Sequence, residues 1–467
     1  MYGTSRAKPD QVVMKEAIDE LAAAFGNRLV TSDAVCEQHA NTTTWILPEP
    51  PDAVIYPQSA GDVQLAVRIC KKHGVPVVAF GAGTSFEGSV NSPYGGISID
   101  LKDMNRILEV HNEDFDCVVE PGVTRKQINE HLRDQGLFFP VDPGADYASL
   151  GGMASTRASG TTTVRYGTMK DNVLALKIVL PDGELITTSR RARKSAAGYD
   201  LTRLFVGAEG TLGIITELTL KLHGLPEATA AAVCRFPTID DACNAAIAAI
   251  QAGIPVARVE LLDEVMICGC NAYSKLNLAE TPTLFLEFHG TDAGVQEQAK
   301  RFGQIAEESA GSAFEWATKP EERNRLWQAR HDSFWAIQVL RPGAKVLVTD
   351  VCVPISRLAQ CVVETKRDIE QSGLIAPIVG HAGDGNFHAG VLVMLDDPEE
   401  VARAKEFSDR LAVRAISMEG TCTGEHGIGQ GKKRFLEPEH GELAVNVMRA
   451  IKHAIDPTGI MNPGKIV

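Results

Sequence analysis

The segment "PDAVIYPQSAGDVQLAVRICKKHGVPVVAFGAGTS", residues 51–85, predicts a strand, a turn, a helix, a second strand and a glycine-rich loop. Ser59 is the expected N-cap of a helix that starts near Ala60, and Gly74 is its expected C-cap. The glycine-rich loop at the end of this segment is a candidate binding site.

The terminal loop fits only part of the dinucleotide fingerprint. Gly81 and Gly83 match the pattern, but Phe86 stands where a third glycine belongs. The loop therefore gives little support for NAD. It does predict a strand that ends in small residues, where backbone N–H groups can approach a pyrophosphate closely.

Two further loops are rich in Gly, Ser and Thr. They are "DPGADYASLGGMASTRASGTTTVRYGTMKDNV", residues 142–173, and "GAEGTLGIIT", residues 207–216. Three such loops among mixed strands favour a long ligand that lies against the backbone. Unrelated surface loops are the alternative that remains open.

The stretch "GHAGDGNFHAG", residues 380–390, places His381 and His388 around an Asp-Gly pair. With Asp384 and Gly385 as the central residues of a hairpin turn, His381 faces His388. Directly opposite residues have Cβ atoms roughly 5 Å apart, so the two imidazoles could hold one metal ion with a third ligand from elsewhere. A glycine-rich loop with two solvated histidines is the alternative.

The composition is that of a soluble globular protein with two or three domains. The chain has 467 residues, 44% hydrophobic and 23% charged. Its 46 basic and 60 acidic side chains give a net charge of −14, which argues against a nucleic-acid binder. None of the ten cysteines forms a CxxC pair, so no iron–sulfur or zinc-ribbon site is expected. With no signal peptide or membrane-spanning run recognised, we expect a cytoplasmic protein, at most peripheral at a membrane.

Groups of strands and groups of helices are separated along the chain, with little βαβ regularity, which predicts an α+β fold. After Pro226 the composition becomes alanine-rich and helical, so we expect a domain boundary near residue 225.

Six stretches in one order carry a family resemblance. They are "PVVAFGAGTSFEGS" (76–89), "GGMASTRASGTTTVRYGTMKDNV" (151–173), "GYDLTRLFVGAEGTLGIIT" (198–216), "GDGNFH" (383–388), "GEHGIG" (424–429) and "DPTGIMNPGK" (456–465). Together they closely resemble the FAD-linked oxidases of the vanillyl-alcohol oxidase type. Within that family the chain is similar to cytochrome-linked D-lactate dehydrogenases. It is also similar, a little further off, to D-2-hydroxyglutarate dehydrogenases and the glycolate oxidase flavin subunit.

The resemblance implies a two-part FAD-binding domain of the PCMH type with an inserted α+β substrate domain. The expected limits are 1–225 for the FAD domain, 226–420 for the substrate domain and 421–467 for a C-terminal segment that returns to the FAD domain. The FAD contacts that the resemblance implies are Gly81, Gly83, Thr84, Ser85, Gly144, Ser149, Gly152, Thr156, Ser159, Glu209, Gly213, Ile214 and Asn462. No histidine stands in "GTSFEGS", so we expect FAD to be bound non-covalently.

The resemblance also supplies the third metal ligand, Glu425, beside His381 and His388. Such a set leaves positions open for substrate and suits Zn²⁺, while Mn²⁺ and Fe²⁺ remain possible. His426 is the candidate general base.

For the substrate carboxylate the candidates are Arg330 and Lys345, with Arg341 as a rival. Relatives that prefer 2-hydroxyglutarate tend to carry Asn two residues after the second metal histidine, where this chain has Gly390. That difference favours D-lactate or another short 2-hydroxy acid.

The expected function is therefore an FAD-dependent dehydrogenase that converts a D-2-hydroxy acid, above all D-lactate, to the 2-oxo acid. Three alternatives stay open: glycolate or D-2-hydroxyglutarate as substrate, a flavin-free metal-dependent hydrolase, and a non-catalytic flavin subunit. The expected partner is an external electron acceptor, whether a cytochrome, a quinone or an electron-transfer flavoprotein.

Overall fold

The computed structural model describes residues 7–40, 44–317 and 320–467. The helices are α1 Gln11–Phe25, α2 Asp33–Gln38, α3 Ala60–His73, α4 Arg125–Leu132, α5 Leu150–Thr156, α6 Thr163–Tyr166, α7 Met169–Asn172, α8 Leu201–Phe205, α9 Ile239–Gln251, α10 Glu264–Ser274, α11 Asp292–Glu308, α12 Pro320–His331, α13 Ser333–Val339, α14 Leu358–Ser372, α15 Pro398–Ser417, α16 Leu436–His440 and α17 Glu442–Ile455. The strands are β1 Leu29–Val30, β2 Ala53–Ile55, β3 Val77–Phe80, β4 Ile97–Asp100, β5 Ile107–His111, β6 Asp116–Val119, β7 Leu137–Phe138, β8 Val173–Val179, β9 Leu185–Thr187, β10 Ile214–Lys221, β11 His223–Gly224, β12 Ala228–Arg235, β13 Arg258–Leu262, β14 Thr283–Gly290, β15 Glu315–Ala317, β16 Lys345–Val348, β17 Val351–Cys352, β18 Ile378–His381 and β19 Asn386–Val393.

The described chain folds into two compact units. Unit 1 contains residues up to 158, residues 168–224 and residues 425–467, and unit 2 contains residues 159–167 and 225–424. The sequence analysis left the short segment 159–167 inside the first domain and began the C-terminal segment at residue 421. Both units mix helices with sheets, so the predicted α+β class is confirmed.

Unit 1 holds a four-stranded sheet in the order β1-β2-β4-β3 and a five-stranded sheet in the order β5-β6-β10-β8-β9. The helix predicted after Ser59 is confirmed as α3. The Ser59 hydroxyl accepts the N–H of Asp62 at 3.1 Å, and Gly74 ends the helix with a φ of 65°. The helix therefore starts and stops where its own cap residues satisfy the terminal backbone groups.

The C-terminal tail joins the first sheet beside β3. The Val77 N–H donates to the carbonyl of Ile460, and the Asn462 N–H donates to the carbonyl of Val77, both at 2.8 Å. These two bonds place Asn462 at the edge of the sheet from which the first glycine-rich loop leaves.

Unit 2 is built on an eight-stranded sheet. Seven strands follow the order β15-β12-β14-β13-β18-β19-β16, and β17 pairs with β19. Helices α10 and α13 and part of α12 cover one face, where Trp327 and Ile337 of the helices pack in one cluster with Phe285 of β14. Helices α9, α11 and α15 pack against strands of the same sheet.

Strand register brings polar side chains from four strands to one face of this sheet. Glu287 lies opposite Arg258, Glu260 lies opposite His381, and alternate residues of a strand share a face. The residues that meet in this way are called the polar patch: Glu287 and His289 on β14, Arg258 and Glu260 on β13, His381 on β18 and His388 on β19. The apolar half of the same face lies under the helices, so the patch occupies its other end.

No helix among the described residues combines the length and the apolar character that crossing a bilayer requires.

Candidate active site

The two histidines of "GHAGDGNFHAG" lie on a hairpin whose register differs from the predicted one. His381 pairs with Asn386, so the connecting loop has four residues instead of two. A two-residue type I′ turn requires a positive φ at both central residues. Gly385 has a φ of 77°, but Asp384 stays outside that region. The predicted direct pairing of His381 with His388 is therefore wrong.

The two rings nevertheless lie close together, because the shift of register preserves the face. Val379 is the residue opposite His388, and His381 follows two positions later on the same strand. The centroids of the two imidazoles are 5.6 Å apart, and both side chains are buried.

Each of these histidines is oriented by a bond at Nδ1. His381 Nδ1 lies 2.8 Å from Oε1 of Glu260, and His388 Nδ1 lies 3.1 Å from the carbonyl oxygen of Thr349. An Nδ1–H donated to an oxygen puts the ring lone pair on Nε2, which is the form that ligates a metal. Two such imidazoles on one polar patch fit a divalent metal of the Zn²⁺ or Mn²⁺ type.

Arg330, predicted to hold the substrate carboxylate, is buried and bound to Glu260. Its Nε and Nη2 lie 2.7 and 2.6 Å from Oε2 of Glu260. Since a guanidinium has five N–H donors, this pairing leaves it the capacity to bind a second anion. The structure thus adds an intramolecular partner that the sequence analysis did not foresee.

The other two candidate cations lie differently. Lys345 begins β16 and is exposed, opposite Val393 in the ladder. Arg341 forms an ion pair with Glu400, with Nη2 and Oε2 3.2 Å apart. Arg341 was the rival candidate in the sequence, and the structure gives it a carboxylate partner within the chain.

Glu425 and His426 follow directly after the end of unit 2. The chain just before them is fixed, because the Thr423 hydroxyl donates to Asp350 at 2.7 Å. Within unit 1 the ring of His426 lies against that of Phe86, with centroids 4.7 Å apart. Gly427, which follows His426, has a φ of 84°, so the backbone bends directly after the histidine.

In unit 1 the first and second glycine-rich loops adjoin each other. A Cβ added to Gly81 would overlap the Ser149 hydroxyl and would lie 3.7 Å from the Cα of Gly152. Gly83 has a φ of 68°, and a Cβ there would lie 2.7 Å from the ring of Phe80. The packing around Gly81 and Gly83 thus leaves no room for a side chain at either position, and the loop stays free of side chains where backbone N–H groups could approach a pyrophosphate.

Glu209 in the third loop binds the C-terminal segment of unit 1. Its buried carboxylate accepts N–H groups of Ile428 and Gly429 at 2.7 and 2.9 Å, and the hydroxyl of Ser89 at 2.8 Å. Burial raises the pKa of Glu209, while these hydrogen bonds act in the opposite direction. Glu209 was predicted as an FAD contact, and its anchoring role was not foreseen from the sequence.

Asn462 presents a buried acceptor next to these residues. Its Nδ2 donates to the carbonyls of Ser89 and Glu209 at 3.0 and 2.7 Å. Its Oδ1 is buried and has no hydrogen-bond partner among the described residues. A buried amide oxygen of this kind calls for a donor, and a flavin ring carries one, so this position fits FAD.

The remaining predicted FAD contacts lie in different environments. A Cβ on Gly213 would lie 2.9 Å from the Val179 carbonyl, and Ile214 is buried in the core at the start of β10. Both therefore pack the sheet, which limits any cofactor contact at Ile214 to its backbone. The others occupy loops or a helix end: Gly144 in the exposed loop before α5, Thr156 at the last turn of α5, Ser159 in segment 159–167, and Thr84 and Ser85 after Gly83.

Comparison with known proteins now decides the family. The model of the FAD linked oxidases, C-terminal domain, matches residues 225–466, and that of the FAD binding domain matches residues 51–189. The chain belongs to the FAD-linked oxidases. This confirms the family predicted from the six stretches.

Relatives within the FAD-linked oxidases are similar over most of their length. The probable D-lactate dehydrogenase, mitochondrial, of Danio rerio is 50% identical over 461 residues, covering 97% of this chain and 92% of that protein. The D-lactate dehydrogenase [cytochrome], mitochondrial, of Arabidopsis thaliana is 48% identical over 417 residues, covering 89% and 73%. Among solved structures, 4-ethylphenol oxidase from Gulosibacter chungangensis superposes with a TM-score of 0.83 at 20% identity, covering 98% of both chains, which supports the fold alone.

The predicted cytoplasmic location is wrong. Both relatives named above carry the word mitochondrial in their names, at 48–50% identity to this chain. The prediction rested on finding no recognisable signal in the sequence, which is a weak form of evidence.

The polar patch of this FAD-linked oxidase contains a second buried network that was not predicted from the sequence. His289 Nδ1 lies 2.8 Å from the hydroxyl of Tyr166, and its Nε2 lies 2.7 Å from Glu287. Burial by itself raises the pKa of Glu287, but Arg258 and His289 bring it below its usual value. Single carboxylates inside apolar strands, as in "RVELL" and "TLFLEFHG", were the signal that could have revealed Glu260 and Glu287.

Proposed function

We propose that this protein is an FAD-dependent dehydrogenase that oxidises a D-2-hydroxy acid, above all D-lactate, to the corresponding 2-oxo acid. The observation that carries the proposal is the 50% identity, over 97% of the chain, to a relative named as a probable D-lactate dehydrogenase. The buried histidine pair and the adjoining glycine-rich loops support it from the structure.

FAD would be held by unit 1. The first two loops would receive the pyrophosphate against backbone N–H groups, and Asn462 Oδ1 would accept a donor from the flavin ring. The bound cofactor supplies the hydride acceptor. The absence of histidine from "GTSFEGS" supports non-covalent attachment.

A divalent metal would be held by His381, His388 and Glu425. The metal supplies positive charge that lowers the pKa of the substrate hydroxyl. His426 is the proposed general base that receives the hydroxyl proton, and its position directly after Glu425 favours that role. Arg330 is the proposed partner of the substrate carboxylate, because the buried polar patch that it joins contains both histidines. Lys345 is retained as a second candidate.

The environment of Gly390 supports a short substrate. Gly390 follows His388 on the same face of β19, and a Cβ there would lie 2.6 Å from Cδ1 of the buried Ile337. Hydrocarbon therefore closes this side of the histidine pair, which favours the methyl group of lactate over a second carboxylate.

The test is anaerobic bleaching of the flavin by a panel of D- and L-2-hydroxy acids. We expect D-lactate to bleach it fastest, L-lactate to leave it oxidised, and D-2-hydroxyglutarate and glycolate to react more slowly. A colourless protein would overturn the flavin assignment. Flavin that none of these acids reduces would overturn the substrate class, and a non-catalytic flavin subunit would then explain the chain better.

An external acceptor, a cytochrome, a quinone or an electron-transfer flavoprotein, is proposed to reoxidise the flavin.

A further inference from the structure

Glu260 is a fully buried carboxylate that serves two partners at once. Its Oε1 lies 2.8 Å from Nδ1 of His381, and its Oε2 lies 2.7 and 2.6 Å from Nε and Nη2 of Arg330. Its side chain has no exposed surface. Losing either partner would leave the buried carboxylate charge only partly compensated, at a high cost in free energy. The three groups are therefore held in one geometry.

The backbone makes this arrangement rigid. Glu260 lies in the central strand β13, directly opposite His381 of β18 in an antiparallel ladder. Arg330 comes from α12 and is itself buried. The backbones of Glu260 and His381 are therefore fixed by a ladder in the middle of an eight-stranded sheet, and burial restricts both side chains.

We propose that Glu260 is a positioning residue that couples the metal ligand His381 to the carboxylate-binding Arg330. The inference rests on the roles of His381 and Arg330 in the proposed function. One oxygen of Glu260 holds the proton of His381 on Nδ1, so that the lone pair stands on Nε2. The other oxygen fixes the plane of the Arg330 guanidinium. Metal and substrate carboxylate are thereby positioned by one side chain.

The chemistry of an amide shows what Glu260→Gln should change. A carboxylate accepts hydrogen bonds on both oxygens, whereas an amide accepts on one side and donates on the other. If the amide oxygen keeps Arg330, the amide N–H₂ meets the Nδ1–H of His381, and two donors then oppose each other. The imidazole must turn or move its proton to Nε2, and either change removes the lone pair from the metal position.

Glu287 provides a matched control. It lies on the neighbouring strand of the same polar patch, is also buried, and likewise has a histidine and an arginine as partners, with Nε2 of His289 at 2.7 Å and Nε of Arg258 at 3.6 Å. These bonds reach none of the three proposed metal ligands. Glu287→Gln therefore repeats the chemical change without touching His381.

The experiment measures metal affinity of the FAD-loaded full-length protein by competition between the protein and a chelator, with Zn²⁺ and Mn²⁺ as the probes and no substrate present. We expect Glu260→Gln to weaken binding by about 10- to 100-fold, the usual effect of removing a partner of a metal-bound histidine, and Glu287→Gln to change it less than threefold. At saturating metal, Glu260→Gln should also raise KM for the substrate more than it lowers kcat, because a neutral amide oxygen holds the Arg330 guanidinium less strongly than a carboxylate does.

Equal metal affinities in the wild type and Glu260→Gln would overturn the inference while leaving the proposed function intact. Equal losses in Glu260→Gln and Glu287→Gln would also overturn it, since they would indicate general loosening of the sheet. A wild type that binds neither metal would overturn the metal part of the proposed function, and the inference with it. Should Glu260→Gln fail to fold, Glu260→Asp keeps the charge but is too short to reach both partners. About tenfold weaker binding in Glu260→Asp than in Glu287→Asp is then expected, and equal affinities would refute the coupling.

Discussion

Gly385 ends the loop between the two strands that carry His381 and His388, and replacing it tests how tightly that loop is packed. Its φ is 77°, which an L-residue adopts only at a cost of about 1–2 kcal/mol. A Cβ there would overlap the carbonyl oxygen of Val353, a backbone atom that cannot rotate away. The Val353 N–H also donates to the Gly385 carbonyl at 3.0 Å, a bond that contributes about 1 kcal/mol.

Gly385→Ala should therefore lower the free energy of unfolding by at least about 3 kcal/mol. This loss combines the backbone strain, the lost hydrogen bond and the displacement of Val353. Gly373 is the matched control in the same unit, since it has a φ of 63° but nothing within 4 Å of an added Cβ. Gly373→Ala should cost the strain alone, about 1–2 kcal/mol. For a unit of about 200 residues, each kcal/mol lowers Tm by about 2–4 °C.

The assay measures the Tm and the metal content of the two variants. Gly385→Ala should melt at least about 2 °C below Gly373→Ala and should retain less metal, because the displaced loop separates the two imidazoles. Equal melting temperatures would mean that the loop relaxes around the new methyl group. Gly385 would then not be what fixes the histidine pair.

Three further outcomes are expected. His388→Ala should lower metal content and turnover while FAD stays bound, and elemental analysis that finds unchanged metal would remove His388 from the ligand set. His426→Ala should keep FAD and metal but slow flavin reduction by about 10²–10⁴-fold in anaerobic rapid mixing, with reoxidation unaffected, and a loss under about tenfold would point to another base. Burial lowers the pKa of Lys465 to about 8 from 10.5. The unfolded chain then binds more protons between these pH values, and unfolding free energy should rise with pH there by up to about 3 kcal/mol in the wild type relative to Lys465→Met. Parallel pH profiles for the two proteins would contradict this.

Structure that depends on neighbouring residues was predictable from the sequence. The helix α3 has a serine before its first residue and a glycine after its last, and both caps form as expected. Such signals work because the bonds they make lie within three or four residues of the cap. The family was predictable for a different reason, since six separate motifs in one order rarely coincide by chance.

The hairpin marks the limit of local reasoning. The Asp-Gly pair correctly indicated a turn near residue 384. The register, however, depends on the conformation of all four loop residues, of which only Gly385 has a positive φ. A shift of one residue in one strand would have turned one histidine to the other face of the sheet. The actual loop of four residues adds two to the predicted turn, an even number, and that is why the two imidazoles still share a face.

Glu260 could not have been connected to His381 by any local rule, since 121 residues separate them in the chain. A single glutamate in the apolar strand "RVELL" indicates only that its charge must find partners inside the protein. Which partners it finds depends on the order of strands, and β13 lies between β14 and β18 although β14 precedes β18 by many residues. That order makes the carboxylate adjacent to one predicted ligand, and α12 then adds Arg330 to its second oxygen. A sequence can therefore nominate the metal ligand and the carboxylate binder separately, but their dependence on one another follows only from the sheet in which Glu260 lies between them.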